Sequence, residues 1–192
     1  FGVERGGSTR AFAKLIDKIT GKLYSVDIND CSDVCNSVNW RFLQSDDLDI
    51  DYVSKNFEEI KNSGVDLIYI DSYHENSHVQ KLLEIYFKYV KKNGAIFIDD
   101  IDSFPFRQKK DIWNSIIYDL TDYSVKEFYY NNINKASYRI YYDEGENGLG
   151  KIIKKTEFND EPNLTKKIWN YNIIIKLFYP YLRKIKKFFS RT

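Results

Sequence analysis

The sequence has few of the residues that mark exported, zinc-binding or membrane-spanning proteins. It contains two cysteines in 192 residues, Cys31 and Cys35, with no second pair or histidine partner near them. This pattern provides neither a zinc site nor a disulfide framework. We therefore expect free thiols and a cytoplasmic location. No run reaches the roughly 20 apolar residues of a membrane span, and no signal peptide is evident.

Methionine is absent, and the chain opens with Phe1-Gly2, where we expect a strand to end. We therefore expect a preceding segment that supplies the rest of this first strand. The net charge is +1, so no overall field recruits nucleic acid. Because 43% of the residues are hydrophobic, the composition is that of a globular protein, and the length suits one domain plus a tail.

Short apolar runs alternate with segments of helical periodicity, which is typical of a parallel sheet with crossover helices. The predicted strands are Leu23–Ile28, Trp40–Leu43, Val65–Ile70 and Ala95–Ile98. The predicted helices are Arg10–Lys18, Ile50–Lys61, a segment after Asp71 whose apolar residues run from Val79 to Val90, and Arg107–Leu120. Ser124–Tyr130 and Ser137–Tyr142 flank a polar turn and predict an antiparallel hairpin. The predicted fold class is α/β, a Rossmann-like, doubly wound, mostly parallel sheet with an antiparallel C-terminal strand pair.

The chain divides into three predicted parts. Residues 1–143 form the α/β core, residues 144–163 a loop or linker, and residues 164–192 a basic, aromatic tail. In the tail, apolar residues from Phe178 to Phe189 recur at helical spacing, with basic residues on the opposite face. This amphipathic helix either rests on an anionic membrane surface as a peripheral contact or packs on its own domain or on a second subunit of a homo-oligomer.

The first candidate site is the glycine-rich segment Gly2–Thr9. Glycines between a strand and a helix let the backbone turn tightly and approach a ligand, and Ser8 or Thr9 is suited to cap the helix that follows. Three residues separate Gly2 from Gly6, which is not the G-x-G-x-x-G spacing of dinucleotide enzymes. Taken alone, the segment is also compatible with a glycine-rich turn that binds no ligand.

Two aspartates at predicted strand ends extend this site. Asp27 follows the glycines by roughly twenty residues, where a carboxylate can accept both hydroxyls of a ribose. Asp46 ends the next strand and could accept from an adenine amino group, with Asp47 and Asp49 as nearby alternatives. The competing interpretations are an ordinary strand-end or helix-cap aspartate for Asp27 and a solvated loop charge for Asp46. A glycine loop followed by an acid after the next strand nevertheless forms the two halves of a nucleoside site.

A second group of carboxylates follows the last two predicted parallel strands. Asp71 ends one strand and Asp99-Asp100 the other, so the carboxylates lie about 5 Å apart if the strands are neighbours. Such oxygen ligands suit Mg²⁺, Mn²⁺ or Ca²⁺, and the cation would lower the pKa of a substrate hydroxyl. His74 would take the proton. Helix capping by the aspartates and a hydrogen bond at the helix entry are the alternatives, and His78 is predicted on the helix surface.

With these residues placed, the chain resembles class I S-adenosylmethionine (SAM) dependent methyltransferases, and among them the family of macrocin-type sugar O-methyltransferases and cephalosporin hydroxylase-like proteins. The likeness runs through Gly2–Thr9, Tyr24–Ile28, Gln44–Asp46, Val65–His74 and Gly94–Asp100. The resemblance implies SAM-binding residues Gly2, Glu4, Gly6, Ser8, Thr9, Asp27, Asp46 and Asp71. It also implies a divalent cation, with Mg²⁺ favoured, on Asp71, Asp99 and Asp100, and catalytic roles for Asp71 and His74.

The leading interpretation is therefore a metal-assisted, SAM-dependent O-methyltransferase that acts on a hydroxyl of a sugar or glycan intermediate. The expected partners are a small molecule or glycan, and no nucleic acid. One alternative is a non-methylating SAM-binding or hydroxylase-like protein of the same fold. Another is an NAD-dependent oxidoreductase, which the glycine spacing and the terminal antiparallel pair disfavour.

Overall fold

A computed structural model describes residues 1–101, 121–141 and 148–166, and these residues form two β-sheets. In the first sheet, β1 (Leu23–Asp27) and β2 (Trp40–Gln44) pair in parallel. The second sheet has the order β3-β4-β6-β5, with β3 at Val65–Ile70, β4 at Val90–Ile98, β5 at Ala136–Tyr141 and β6 at Leu149–Lys154. Strands β3 and β4 are parallel, while β6 is antiparallel to both of its neighbours. The predicted α/β class is confirmed.

Phe1 and Gly2 connect the two sheets. The amide of Gly2 donates to the carbonyl of Val26 in β1 (3.0 Å), and the amide of Asp71, after β3, donates to the carbonyl of Phe1 (2.9 Å). The nitrogen of Phe1 also donates to the carbonyl of Tyr69 (2.6 Å). This short segment therefore lies between β1 and β3, and the carboxyl ends of the parallel strands all face the same edge.

The helices that the structure describes pack on these sheets. They are α1 (Gly7–Ile16), α2 (Ile50–Asn56), α3 (Glu59–Asn62), α4 (Asn76–Tyr86) and α5 (Thr121–Asn131), with a 3₁₀ turn at Phe87–Tyr89. In α4, Val79, Leu82, Leu83 and Tyr86 are buried at helical spacing, so one face of the helix enters the core. None of the described helices is long and apolar enough to cross a membrane.

The apolar core lies between α4, α5 and the inward faces of the strands. Ile68 and Ile70 alternate along β3, as Ile96 and Ile98 do along β4, because successive side chains of a strand point to opposite faces. Helices α4 and α5 are in contact. Cys31 and Cys35 are both free, as predicted.

The strands of the parallel part agree with the sequence prediction to within about five residues, whereas the helix prediction needs two changes. The apolar run predicted as helical up to Val90 ends its helix at Tyr86, and Val90 begins β4 after the 3₁₀ turn. The predicted helix Ile50–Lys61 divides into α2 and α3 around Phe57, whose side chain is buried. The predicted helix Arg107–Leu120 and the tail from residue 167 onward lie outside the described residues, so the domain division and the proposed contacts of the tail stay predictions.

The predicted hairpin is wrong. Ser124–Tyr130 lies in α5, because Ser124, Val125 and Phe128 are buried at helical rather than alternating spacing. Strand β5 pairs instead with β6, which lies inside the segment predicted as a loop. The signal for β6 is weak because its buried face includes Lys154, which donates to the carbonyl of Lys88 at 3.0 Å.

Residues 155–166 have no regular secondary structure, and asparagine side chains hold part of this segment against α5. The amide of Asn132 donates to the carbonyls of Phe128 (2.9 Å) and Asn163 (3.2 Å), and its oxygen accepts from the backbone amide of Asn163 (2.8 Å). Because Asn132 is fully buried, these partners cannot be replaced by water.

We predict that Asn132→Ala lowers the free energy of unfolding by about 2 to 3 kcal/mol, since it leaves buried carbonyl and amide groups unsatisfied. The matched control is Asn134→Ala, because Asn134 is exposed in the adjoining turn; its effect should stay within about 0.5 kcal/mol. Urea unfolding measures both variants. Equal losses would show that the contacts of Asn132 do not hold this segment.

Candidate active site

A cavity of about 840 Å³ opens at the carboxyl ends of β1, β2 and β3. This volume is within the range of small-molecule and cofactor pockets. Most of the predicted site residues line it, namely Gly2, Glu4, Ser8, Asp27, Asp46, Asp71, His74 and Asp100. Gly6, Thr9 and Asp99 are not among the lining residues. The two groups of predicted residues, one for a nucleoside and one for a cation, therefore share a single cavity.

The glycine segment forms one wall of this cavity and depends on two left-handed glycines. Gly2 has φ 82° and Gly6 has φ 73°. A β-carbon on Gly2 would overlap the backbone carbonyl of Asp71, and one on Gly6 would lie 2.7 Å from the β-carbon of Val34. Gly6 itself is the N-cap residue of α1, so the predicted capping by Ser8 or Thr9 is wrong. Both hydroxyl residues lie in the first turn of the helix.

The side chain of Asp27 binds the backbone of the glycine segment. Its Oδ2 accepts from the backbone amides of Val3 (2.7 Å) and Glu4 (3.2 Å), and its Oδ1 accepts from the amide of Asn29 (2.8 Å). Partial burial raises the pKa of Asp27, but these backbone N–H groups together hold it below its usual value. The carboxylate is therefore ionised. The two amides occupy both lone pairs of Oδ2, while Oδ1 keeps one for a ligand.

Asp46 and Asp47, at the end of β2, occupy different surroundings. Oδ1 of Asp46 accepts from the amide of Leu48 (2.9 Å), which closes a local turn. Asp47 is only 8% exposed, and its Oδ1 lies 2.9 Å from Nε2 of His78 in α4. The hydroxyl of Tyr86 donates to the backbone carbonyl of Asp47 (2.7 Å).

The prediction that His78 lies on the surface is wrong, because its side chain is only 15% exposed and lines the cavity. The carboxylate of Asp47 raises the pKa of His78 despite the opposing effect of burial. The sequence carried a signal for this position. His78 is four residues before Leu82 and eight before Tyr86, so it belongs to the buried stripe of α4.

Asp71 and Asp99 lie at neighbouring strand ends, as predicted. Strands β3 and β4 pair with Ile70 opposite Ile98, and the amide of Asp99 donates to the carbonyl of Ile70 (2.9 Å). Burial and then the charge of Asp99 raise the pKa of Asp71. Oδ2 of Asp99 accepts from the hydroxyl of Tyr69 (2.8 Å), and Asp99 is not among the lining residues of the cavity.

His74 lies between the other two carboxylates of this group. Its Nε2 is 3.6 Å from Oδ1 of Asp71 and 3.9 Å from Oδ2 of Asp100. Asp100 has a left-handed backbone (φ 49°), a strained conformation for a residue with a side chain. The imidazole therefore faces the cavity with carboxylates on two sides, the surroundings of a general base.

The acidic group fits a hard cation in its donor chemistry. The aspartate oxygens are of the kind that Mg²⁺ prefers, and the repulsion that raises the pKa of Asp71 is what a cation would relieve. Across residues 1–101, 121–141 and 148–166, however, no three His, Cys, Asp or Glu side chains are arranged to hold an ion. The metal therefore stays a prediction.

The charge of the cavity is strongly unbalanced. Its acidic lining residues are Glu4, Asp27, Asp46, Asp47, Asp71 and Asp100. Among the described residues that line it, Arg5 is the only lysine or arginine. Carboxylates gathered in a cleft produce a field that favours a cationic ligand or a cationic group on a larger ligand.

A family model described as a methyltransferase domain matches residues 1–101, the part of the chain that contains the whole cavity lining. The sequence matches none of the curated proteins with which it was compared.

Several solved structures share the fold. The chain is similar to the MycE methyltransferase from the mycinamycin biosynthetic pathway in complex with Mg, SAH and mycinamycin VI, with 20% identity and a TM-score of 0.54 over 85% of this chain and 43% of that one. It is also similar to the O-methyltransferase from Bacillus cereus in complex with SAH, with 15% identity and a TM-score of 0.51 over 80% and 71% of the two chains. The chain thus spans less than half of the length of MycE.

We predict that Gly2→Ala lowers the free energy of unfolding by at least about 2 kcal/mol, because the left-handed backbone is strained for alanine and the methyl group meets the carbonyl of Asp71. Gly7→Ala is the matched control, since a β-carbon there has no atom within 4 Å. It should leave stability unchanged or raise it slightly. Thermal unfolding measures the stability of both variants. A Gly2→Ala protein as stable as the unsubstituted one would contradict the close approach of Gly2 to Asp71.

Proposed function

The chain belongs to the methyltransferase domain family, which residues 1–101 match, and from this membership we propose that it transfers a methyl group from SAM to a hydroxyl oxygen. The observation that carries the proposal is the arrangement of the cavity. An ionised Asp27 bound to the glycine segment lies in the same cavity as His74 and its flanking carboxylates. One cavity would thus provide both a nucleoside site and a base.

SAM fits the charge and the hydrogen-bonding groups of the cavity. Its sulfonium is a cation, and the six carboxylates of the lining favour one. The free lone pair on Oδ1 of Asp27 would accept from a ribose hydroxyl, and Asp46 would face the adenine. Gly2, Glu4 and Ser8 would approach the remainder of the cofactor, while Gly6 and Thr9 would shape the segment without contacting the ligand.

His74 would act as the general base for the acceptor hydroxyl. The hydroxyl oxygen attacks the methyl carbon of the sulfonium, the carbon–sulfur bond breaks, and its electron pair stays on sulfur, which leaves SAH. The hydroxyl proton moves to His74. Asp71 and Asp100 would stabilise the imidazolium that forms, because their carboxylates lie within 4 Å of Nε2.

A divalent cation such as Mg²⁺ would be held by Asp71, Asp99 and Asp100, and when bound it would lower the pKa of the acceptor hydroxyl. The MycE structure, which contains Mg together with SAH, supports this part of the proposal. The hydroxyl acceptor follows from the proposed cation, since a cation that acidifies an alcohol has no obvious use in methylating an amine. We propose a sugar or glycan hydroxyl, on the resemblance to sugar O-methyltransferases.

We predict that SAM binds the protein and that Asp27→Asn weakens binding by about 10- to 100-fold, the loss of one or two charge-assisted hydrogen bonds. Asp30→Asn is the matched control, because Asp30 is exposed in the same loop and accepts only from Ser32 among its described contacts. Isothermal titration calorimetry measures the affinity of both variants and of the unsubstituted protein for SAM and for NAD. Tight binding of NAD with none of SAM would overturn the proposed function.

For the chemical step, we predict that His74→Gln slows methyl transfer by about 100-fold or more while SAM still binds, since a general base contributes about this factor. Asp71→Ala and Asp99→Ala should abolish stimulation of transfer by Mg²⁺. The assay is mass spectrometry of a panel of sugar acceptors incubated with SAM. Full transfer in excess EDTA would count against the cation, and an unchanged rate in His74→Gln would exclude His74 as the base.

A further inference from the structure

The ion pair between Asp47 and His78 lies in the cavity but has no part in the proposed reaction. The two side chains are 8% and 15% exposed, and Oδ1 and Nε2 are 2.9 Å apart. They come from different elements, since Asp47 follows β2 and His78 lies in the first turn of α4. The hydroxyl of Tyr86, two turns further along α4, binds the backbone of the same Asp47.

The pair joins the two walls of the cavity. The turn that carries Asp47 also carries Ser45 and Asp46, which line the side proposed for the nucleoside. Helix α4 begins just after Tyr73 and His74, which line the side proposed for the acceptor. The ring of Tyr73 meets the imidazole of His78 edge-on, with centroids 5.7 Å apart.

A buried ion pair is a costly way to join two elements. Removal of both charges from water offsets much of their attraction, and apolar residues often stabilise a fold as well or better. An ion pair does, however, hold its two partners in one defined geometry, and a buried charge left alone is strongly unfavourable. Its location in a ligand cavity therefore indicates a role in the shape of the site.

We propose that Asp47 and His78 are positioning residues, whose ion pair holds the Ser45–Asp46 wall against the Tyr73–His74 wall, and that loss of this pair weakens cofactor binding. The inference rests on the proposed function, because the ligand that it concerns is SAM or its product SAH.

The charges around the pair predict how this effect depends on pH. The carboxylate of Asp47 raises the pKa of His78, burial opposes it, and Asp46 and Glu75 raise it further. Burial raises the pKa of Asp47, but His78 and Ser72 hold it below its usual value overall.

The raised pKa of His78 and the lowered pKa of Asp47 determine the pH range in which the ion pair is intact. The contribution of His78 is fully present below its unfolded pKa of 6.5 and is lost as the pH rises through the higher folded value. The contribution of Asp47 is present above its unfolded pKa of 3.8 and is lost as the pH falls through the lower folded value. The pair is therefore intact at about pH 6, and cofactor affinity should fall as the pH rises above the folded pKa of His78.

The test is a titration of SAH into the full chain at about pH 6 and about pH 8.5, which bracket the neutralisation of a histidine. The unsubstituted protein should lose about 10-fold in affinity between the two, the size expected for the loss of one charged contact. His78→Gln should bind weakly at both values with no such change. In the double-mutant cycle with Asp47→Asn, the two residues should be coupled at about pH 6 and uncoupled at about pH 8.5.

Asp66→Asn is the matched control, because Asp66 forms an exposed ion pair with Lys91 (3.0 Å) far from the lining. It should keep the affinity and the pH dependence. If His78→Gln does not fold, Asp47→Asn still tests the proposal, since it too should bind SAH weakly at both pH values with no such change. Unchanged SAH affinity at about pH 6 in Asp47→Asn, or the same pH dependence in His78→Gln, would overturn the inference alone. Absence of SAH binding to the unsubstituted protein at both pH values would overturn the proposed function as well.

Discussion

The close approach of Gly2 to the end of β3 is the constraint on which the site depends. Gly2 binds the backbone of Val26 on one side, while Phe1 accepts from Asp71 on the other. A side chain at Gly2 would overlap the carbonyl of Asp71, so the two sheets meet at this edge only because the residue is glycine. This junction places the glycine segment, Asp27 and the acidic ends of β3 and β4 around one cavity.

The charges of this cavity are arranged so that each carboxylate has a different environment. Backbone N–H groups keep Asp27 ionised, and His78 does the same for the more deeply buried Asp47. Asp71 has no such set of donors, and the neighbouring Asp99 raises its pKa. The surroundings of Asp27 and Asp47 suit groups that shape a binding site. Those of Asp71 suit a place where positive charge arrives during binding or reaction.

The sequence was sufficient for the parallel half of the fold and for most of the cavity. Asp27, Asp71 and Asp99-Asp100 could be placed because an acid after an apolar strand lies at the carboxyl edge of a parallel sheet. The antiparallel half was harder. The aromatic residues around Phe128 have strand propensity, yet α5 packs against α4, and this tertiary contact decides its structure. The partner of Asp47 is His78, which comes from another element, and no local pattern predicts that pairing.

The central claim is that one cavity binds SAM with its ribose on Asp27 and its methyl group towards His74. A crystal structure of the protein with SAM tests this claim most directly. We expect a ribose hydroxyl within hydrogen-bonding distance of Oδ1 of Asp27, about 2.5 to 3.2 Å, and the sulfonium on the side of Asp71 and His74. A cofactor whose ribose lies on another carboxylate, or outside this cavity, would contradict it.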